Sequence, residues 1–187
     1  MNFAVSRKYL LLITLSCLLI AIDQLTKIYI HTQFQLHESH AVIENFFNIT
    51  YVRNFGAAFG FLSQAPPAFR EIFFLMMPPL ACLIILYILR GIDERDTKQV
   101  LSLSSIFAGA LGNYLDRLQF RYVIDFLDFH IYGNYSWPAF NVADMAIVIG
   151  VAFLMISMLK EKKLAEQNRV DTPVAAPPIN DVKMNEL

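Results

Sequence analysis

The sequence has few charged residues for its length. Of its 187 residues, 17% are charged and 56% are apolar, whereas a typical soluble domain is about 25% charged and about 45–50% apolar. We therefore expect neither an ordinary soluble enzyme nor a disordered chain. Fifteen basic residues against sixteen acidic ones give a net charge of −1, and this balance argues against a nucleic-acid-binding protein.

Cysteine is also scarce, since only Cys17 and Cys82 occur and each lies inside a long apolar run. A thiol in such surroundings is a poor nucleophile, so both are expected to be small packing residues. Two cysteines also supply neither a disulfide framework nor the spacing of a zinc site.

Long apolar runs, in contrast, are abundant. A membrane-spanning helix needs about 20 residues, and four runs approach or reach that length, the third being somewhat short. We therefore predict an all-α polytopic membrane protein with four transmembrane helices. The predicted helices cover residues 9–30, 70–89, 100–116 and 141–159. Within the third, Ser104, Ala108 and Gly112 share one face, a spacing that favours close helix packing.

The basic residues predict how the chain crosses the membrane. They cluster before the first run, between the second and third, and after the fourth. By the positive-inside rule, both termini are cytoplasmic and loops 31–71 and 116–142 lie outside. Residues 1–160 form one membrane domain in this prediction. The proline-containing segment 161–187 is expected to be a disordered cytoplasmic tail.

The first outer loop is more than a linker. Its residues 46–52 are aromatic and β-branched, which is typical of a strand, and the stretch that begins at Asn54 is rich in turn formers. We therefore predict a small β-rich subdomain, over about residues 36–66, on the outer membrane surface.

The polar residues of the predicted bundle gather at one depth. Asp23 follows Lys8 by about 15 residues, or about 22 Å of helix, which places it near the outer face. Asp116 closes the third helix, Asp144 opens the fourth, and Asp125 lies on the connection between them. A carboxylate in a membrane protein is by default a functional hypothesis. Three asparagines lie at the same level: Asn54, Asn113 and Asn141.

Two of these acids have open interpretations. Asp23 and Lys27 are four residues apart on one helix face and can pair; an internal ion pair and a substrate role are both compatible with that spacing. Asp116, next to Arg117, is expected to belong to a network that fixes the end of the third helix.

Asp125 and Asp144 together suggest a chemistry. Asp125 has apolar neighbours, and burial there would favour its protonated form; the alternative is an exposed residue on an amphipathic edge. Asn141 and Asp144 could form a reciprocal cap of the fourth helix, whose N-terminus favours an ionised carboxylate. A purely structural cap is the alternative. One protonated and one ionised carboxyl group are what an aspartic hydrolase requires.

Five short motifs, in order along residues 8–160, resemble those of the bacterial lipoprotein signal peptidase family, also called signal peptidase II. Each is weak alone, but their order on a four-helix protein of this size is specific. They are Asp23-Gln24-Leu25-Thr26-Lys27, Asn54-Phe55-Gly56-Ala57-Ala58-Phe59-Gly60, Gly112-Asn113-Tyr114-Leu115-Asp116-Arg117, Val123-Ile124-Asp125-Phe126 and Phe140-Asn141-Val142-Ala143-Asp144.

The resemblance implies a multi-pass aspartic endopeptidase of the bacterial inner membrane, with its active site near the periplasmic face. Its substrates would be prolipoproteins whose cysteine carries diacylglycerol, cut on the amino side of that cysteine. The family's catalytic pair corresponds to Asp125 and Asp144, and neither a metal nor an organic cofactor is implied. Substrate-binding or supporting roles fall on six further residues: Asp23, Lys27, Asn54, Asn113, Arg117 and Asn141.

Two other classes remain open from the residues alone. A small transporter or channel subunit would line a pathway with its polar groups, although the cytoplasmic halves of the four runs carry no charge. A non-enzymatic assembly factor would use loop 31–71 as its binding surface. We expect a monomer with lipid as its surroundings and no nucleic-acid partner.

Overall fold

The computed structural model describes residues 6–56, 62, 65–132 and 135–171. The last four residues of the second motif and positions 172–187 of the expected tail lie outside these ranges. The described elements, in chain order, are α1 (Arg7–Gln33), β1 (Ser39–Ile43), β2 (Phe47–Asn54), α2 (Pro67–Gly91), α3 (Thr97–Phe120), β3 (Val123–Tyr132), β4 (Tyr135–Ser136) and α4 (Val142–Asp171).

Three helices are long and apolar enough to cross a membrane, judged by length and composition: Arg7–Gln33, Pro67–Gly91 and Val142–Lys163. Large apolar side chains on them point away from the protein; Leu83 is 65% exposed and Val148 is 68% exposed. Such surfaces suit contact with lipid. The protein is thus mostly helical with three candidate spans, and a fourth span through α3 stays a prediction.

Helix α3 is the central element, because it packs against α1, α2 and α4. Its small residues Ser104, Ala108 and Gly112 are buried, as the sequence predicted. At Gly109 an added Cβ would collide with the backbone oxygen of Ala143 and with Ile147, so α3 and α4 touch there at backbone level. Many of the polar side chains of α3 face this interior. This explains why α3 is less apolar than the three candidate spans.

The strands form one antiparallel sheet in the order β1-β2-β3-β4. The predicted strand over 46–52 is confirmed as β2. The sheet is not confined to residues 36–66, however, because β3 comes from the connection between α3 and α4 and pairs with β2, setting Val52 opposite Asp125. Val123, Ile124 and Phe126 are β-branched or aromatic, which is the sequence signal for this strand.

The bundle has two distinct ends. At the sheet end, Ile30, Tyr51, Ile124 and Phe126 join the strands to the helices. At the opposite end, here called the distal end, α1, α2 and α3 meet around Leu89 and Val100. Helix α4 continues to Asp171 beyond the expected boundary at residue 160, since the lysine and glutamate side chains that follow Leu159 are good helix formers.

Candidate active site

The two acids that the sequence singled out lie on different elements and line one cleft. Asp125 is on β3 and Asp144 is in the first turn of α4. Both border a cleft of about 1100 Å³ at the sheet end. Asn54, Asn113 and Arg117 line the same cleft. Five of the eight predicted site residues therefore surround one space.

Asp125 is enclosed by hydrogen-bond donors. Asn141 Nδ2 donates to its Oδ1 at 2.7 Å and Asn54 Nδ2 donates to its Oδ2 at 2.9 Å. The residue is 2% exposed, so the alternative of an exposed edge residue is wrong. Burial, followed by the nearby charge of Asp144, raises the pKa of Asp125 to about 7, although the two asparagine donors and Lys27 act in the opposite direction.

Asp144 is held at the N-terminus of α4. Asn113 Nδ2 donates to its Oδ1 at 2.8 Å, and the backbone N–H of Asn141 donates to its Oδ2 at 3.3 Å. In return, the N–H of Asp144 donates to Asn141 Oδ1 at 2.9 Å. The reciprocal cap predicted from the sequence is therefore confirmed. The cap leaves Asp144 only half-buried, on the cleft wall.

Asn141 joins the two acids. Its side chain is fully buried; Oδ1 accepts from the backbone of Asp144 while Nδ2 donates to Asp125. The same Nδ2 lies 3.2 Å from Asn113 Oδ1 and 3.4 Å from the oxygen of Ile124. The side-chain amide of Asn141 thus holds the carboxyl group of Asp125 and the backbone of Asp144, while the backbone N–H of Asn141 holds the carboxyl group of Asp144.

Arg117 forms part of the cleft wall and ties two segments together. Its guanidinium donates to the backbone oxygens of Asn113 at 3.2 Å and Gly56 at 3.1 Å. It also lies 5.1 Å from the ring centroid of Phe74 on α2. The segment after β2 is therefore held against α3 by a cation that borders the cleft.

Asp23 and Lys27 do not line the cleft. They form the predicted ion pair at 2.8 Å, and each is 1% exposed. Lys27 Nζ also lies 3.1 Å from Asp116 Oδ2 and donates to Asn113 Oδ1 at 3.0 Å. These three charged residues, Asp23, Lys27 and Asp116, are called the ion cluster below. It lies behind the acids, which favours a supporting role over substrate contact.

The sequence does not predict two of the residues around the acids as site residues. For Asp116 it predicts only a network at the end of α3, and for Gln24 it predicts no role. Gln24 Nε2 donates to Asp116 Oδ1 at 2.9 Å and lies 3.2 Å from Asp23 Oδ2. The sequence signal for Gln24 is that it stands next to Asp23 in a mostly apolar helix. The partner of Gln24, Asp116, lies on α3, so a periodic pattern within α1 could not have identified it.

Metal ligands are a separate question. In the parts of the chain that the structure describes, no group of three or more histidine, cysteine, aspartate or glutamate side chains could hold a metal ion.

Comparison with known proteins identifies relatives of this chain. The family described as "Signal peptidase (SPase) II" matches residues 15–160. A lipoprotein signal peptidase of Syntrophus aciditrophicus is 51% identical over 146 residues, covering 78% of this chain and 90% of the relative. That of Desulforapulum autotrophicum is 44% identical over 159 residues, covering 84% and 96%.

A solved structure extends the likeness to three dimensions. A bacterial membrane enzyme determined by the in meso method superimposes with a TM-score of 0.74 at 31% identity, covering 89% of this chain and 94% of that one. Nothing in these comparisons supports a transporter or channel subunit. Because the matched region contains Asp125, Asp144 and most of each candidate span, the chain belongs to the signal peptidase II family and is a membrane-embedded enzyme of the aspartic type.

Proposed function

We propose that this enzyme removes signal peptides from bacterial prolipoproteins whose cysteine carries a diacylglyceryl group, cutting on the amino side of that cysteine. The observation that carries the proposal is the meeting of Asp125 and Asp144 at one cleft, with Asn141 hydrogen-bonded to both. Paired carboxyl groups with different surroundings are suited to divide acid and base roles.

Asp125 is the acid and Asp144 the base in this mechanism. As a water oxygen attacks the scissile carbonyl carbon, Asp144 takes a proton from the water and Asp125 gives its proton to the carbonyl oxygen. When the tetrahedral intermediate collapses, Asp125 recovers a proton from a hydroxyl group. Asp144 passes its proton to the amide nitrogen as the carbon–nitrogen bond breaks. The raised pKa of Asp125, about 7, supports its role as the proton donor.

The shape of the cleft supports a substrate that arrives from the membrane. Below the acids, the cleft continues along α4, where Ile147, Val148 and Ile149 line it. Val148 and Ile149 are also exposed on the outer surface of the helix. The cleft therefore opens sideways toward lipid, and an apolar signal helix or acyl chains could enter without crossing water.

The remaining site residues support the acids or position the substrate. Asn54 and Asn113 each donate to one of the two carboxyl groups, and Arg117 places a positive charge at the cleft wall. We assign these three, with Asn141, to positioning. Asp23 and Lys27 act from behind the cleft.

The membrane arrangement follows from the basic residues. Residues 1–160 are one peptidase domain with four spans, α3 being the fourth, and it works as a monomer. Both termini and the tail 161–187 are cytoplasmic, and the sheet end lies at the periplasmic face of the inner membrane. The positive-inside rule supports this orientation, because eight basic residues lie at the distal end: Arg7, Lys8, Arg90, Arg95, Lys98, Lys160, Lys162 and Lys163.

Cleavage of a synthetic diacylglyceryl prolipoprotein peptide by pure protein tests the proposal. Asp125→Asn and Asp144→Asn should each lower the rate by at least about 10³-fold, read by mass spectrometry of the released signal peptide. Asp93→Asn, on the exposed loop of the distal end, is the matched control and should cleave normally. A wild-type protein without activity, or an Asn variant at either acid with the wild-type rate, would refute the proposal.

A further inference from the structure

Each carboxylate of the ion cluster also holds a backbone N–H beside one of the proposed catalytic acids. Asp23 Oδ1 accepts from the N–H of Ala143 at 2.8 Å, and Ala143 directly precedes Asp144. Asp116 Oδ2 accepts from the N–H of Ile124 at 3.0 Å, and Ile124 directly precedes Asp125. The two chain segments that carry the acids are therefore both anchored to the cluster.

Lys27 is the only described side chain that forms an ion pair with both of these carboxylates. Its Nζ lies 2.8 Å from Asp23 Oδ2 and 3.1 Å from Asp116 Oδ2. A single ammonium group consequently links the start of α4, through Asp23, to strand β3, through Asp116. Such charge-assisted hydrogen bonds are short and directional, so they restrict how far the two segments can separate.

Lys27 also determines which way the amide of Asn113 points. An ammonium group can only donate hydrogen bonds, so the atom 3.0 Å from Nζ must be the amide oxygen. The amide nitrogen is then directed at Asp144 Oδ1, 2.8 Å away. With the amide reversed, its oxygen would face a carboxylate and its nitrogen would face a cation, so both contacts would be lost.

We infer that Lys27 is a positioning residue for the reaction: through Asp23 and Asp116 it sets the separation of Asp125 and Asp144, and through Asn113 it orients the hydrogen bond to Asp144. This inference rests on the proposed function. It goes beyond a supporting ion pair because it assigns Lys27 control over the geometry of both acids.

The cost of burial argues for a role of this kind. Three buried charges contribute little to stability, because desolvation offsets their attraction, and well-packed apolar residues often replace such groups without loss. Apolar replacements, however, could not make the directional hydrogen bonds that hold the segments carrying Asp125 and Asp144. Gln24, donating to Asp116 Oδ1 at 2.9 Å, completes the hydrogen bonding of the cluster.

The test compares two buried lysines of α1. Lys27→Met should lower kcat for the diacylglyceryl peptide by about 10²-fold, the effect expected of a misplaced catalytic group, with KM changed less than about twofold. Lys8 is the matched control: it is 8% exposed and its Nζ donates to the backbone oxygens of Arg90 and Ile92, each at 2.9 Å. Lys8→Met should lower the thermal stability in detergent and leave kcat near the wild-type value.

A charge-matched variant separates position from folding. Lys27→Met leaves two buried carboxylates without their cation and should destabilise the protein. In Lys27→Met with Asp116→Asn the cluster keeps its net charge, and the new amide oxygen still accepts from Ile124. This double variant should show the same loss of kcat at near wild-type thermal stability.

The pH profile gives a second readout, one that a merely structural role would not move. Asp125 faces Asp144, Asn54 and Asn141, while Lys27 lowers its pKa and the charge of Arg117 also acts at this site. Lys27→Met should therefore move the high-pH decline of kcat to higher pH. A folded double variant with wild-type kcat, or a Lys27→Met variant whose decline is unmoved, would overturn the inference. Because wild type and Asp125→Asn are assayed beside it, failure of the proposed function would be recognised separately.

Discussion

The sheet end and the distal end of the bundle use the same helices but different packing chemistry. At the distal end the core is apolar, and its buried polar side chains bond mainly to backbone oxygens, as Lys8 and Ser104 do. The distal core consists of Leu12, Ile85, Leu89, Val100 and Leu103. At the sheet end, in contrast, the interior contains charged and amide side chains that bond to one another, among them Lys27 and Asn141.

This difference assigns separate tasks to the two ends. Apolar packing is non-directional and tolerates substitutions that conserve volume. A buried polar network is directional, and removal of one member leaves its partners unsatisfied. We therefore expect changes at the distal end to affect mainly the stability of the bundle. Changes at the sheet end should affect mainly the geometry of Asp125 and Asp144, and hence kcat.

Among changes that leave both acids in place, the largest effect should come from Asn141→Ala, which removes a side chain hydrogen-bonded to both residues. It should lower kcat by about 10²–10³-fold, as loss of a preorganised donor does. The measurement is single-turnover cleavage of the diacylglyceryl peptide. Asn48→Ala is the control, because Asn48 contacts His130 on the sheet, outside the cleft. Equal kcat values for Asn141→Ala and Asn48→Ala would show that the polar network at the sheet end has no special role in catalysis.

A cavity created at the distal end should lower the stability of the protein and leave kcat unchanged. Leu103→Ala removes a buried side chain and should cost roughly 2 kcal/mol of unfolding free energy, measured by denaturation in mixed micelles, with kcat of the folded protein retained. Leu83→Ala, on the exposed face of α2, should change neither quantity. A marked fall in kcat for Leu103→Ala would contradict the separation of tasks.

The same substitution, glycine to alanine, can be made at both ends of the bundle to compare them. An added Cβ at Gly112 would lie 2.7 Å from Asp23 Oδ2, and one at Gly150 would lie 2.7 Å from the oxygen of Ser102. Each alanine variant should cost about 1–3 kcal/mol. Only Gly112→Ala, which displaces Asp23, should also lower kcat beyond its effect on folding. Gly91→Ala, with open space around its Cβ, serves as the reference.

The smallest effect concerns pH. Because the pKa of Asp125 is raised to about 7 and its protonated form is the proposed acid, kcat should fall as pH rises through that value. The decline should be roughly threefold between about pH 6.5 and about pH 7.5, approaching about tenfold per unit above. Full recovery after return to about pH 6.5 would exclude unfolding. A rate still rising at about pH 8 would contradict the assignment of Asp125.

Local patterns predicted more of the site than of the sheet. The spacing of Asp23 and Lys27 predicted their ion pair, and the spacing of Asn141 and Asp144 predicted the cap of α4, because residues three or four apart on a helix are neighbours. The strand carrying Asp125 was not predicted, and the alternatives for Asp125 stayed open. Its burial depends on β2, whose Asn54 lies 71 residues earlier in the chain.

The sequence by itself determined the apolar helices, the distribution of basic residues and the presence of acids and asparagines at one depth. These properties depend on composition and on helix geometry over short distances. Only the tertiary structure decided that Asp125 and Asp144 share a cleft and that Asp23 binds the backbone of Ala143, 120 residues away. Those contacts require the close approach of α3 and α4 at Gly109 and the register of β2 with β3. Neither is a property of any single segment, so no pattern within one segment could have predicted them.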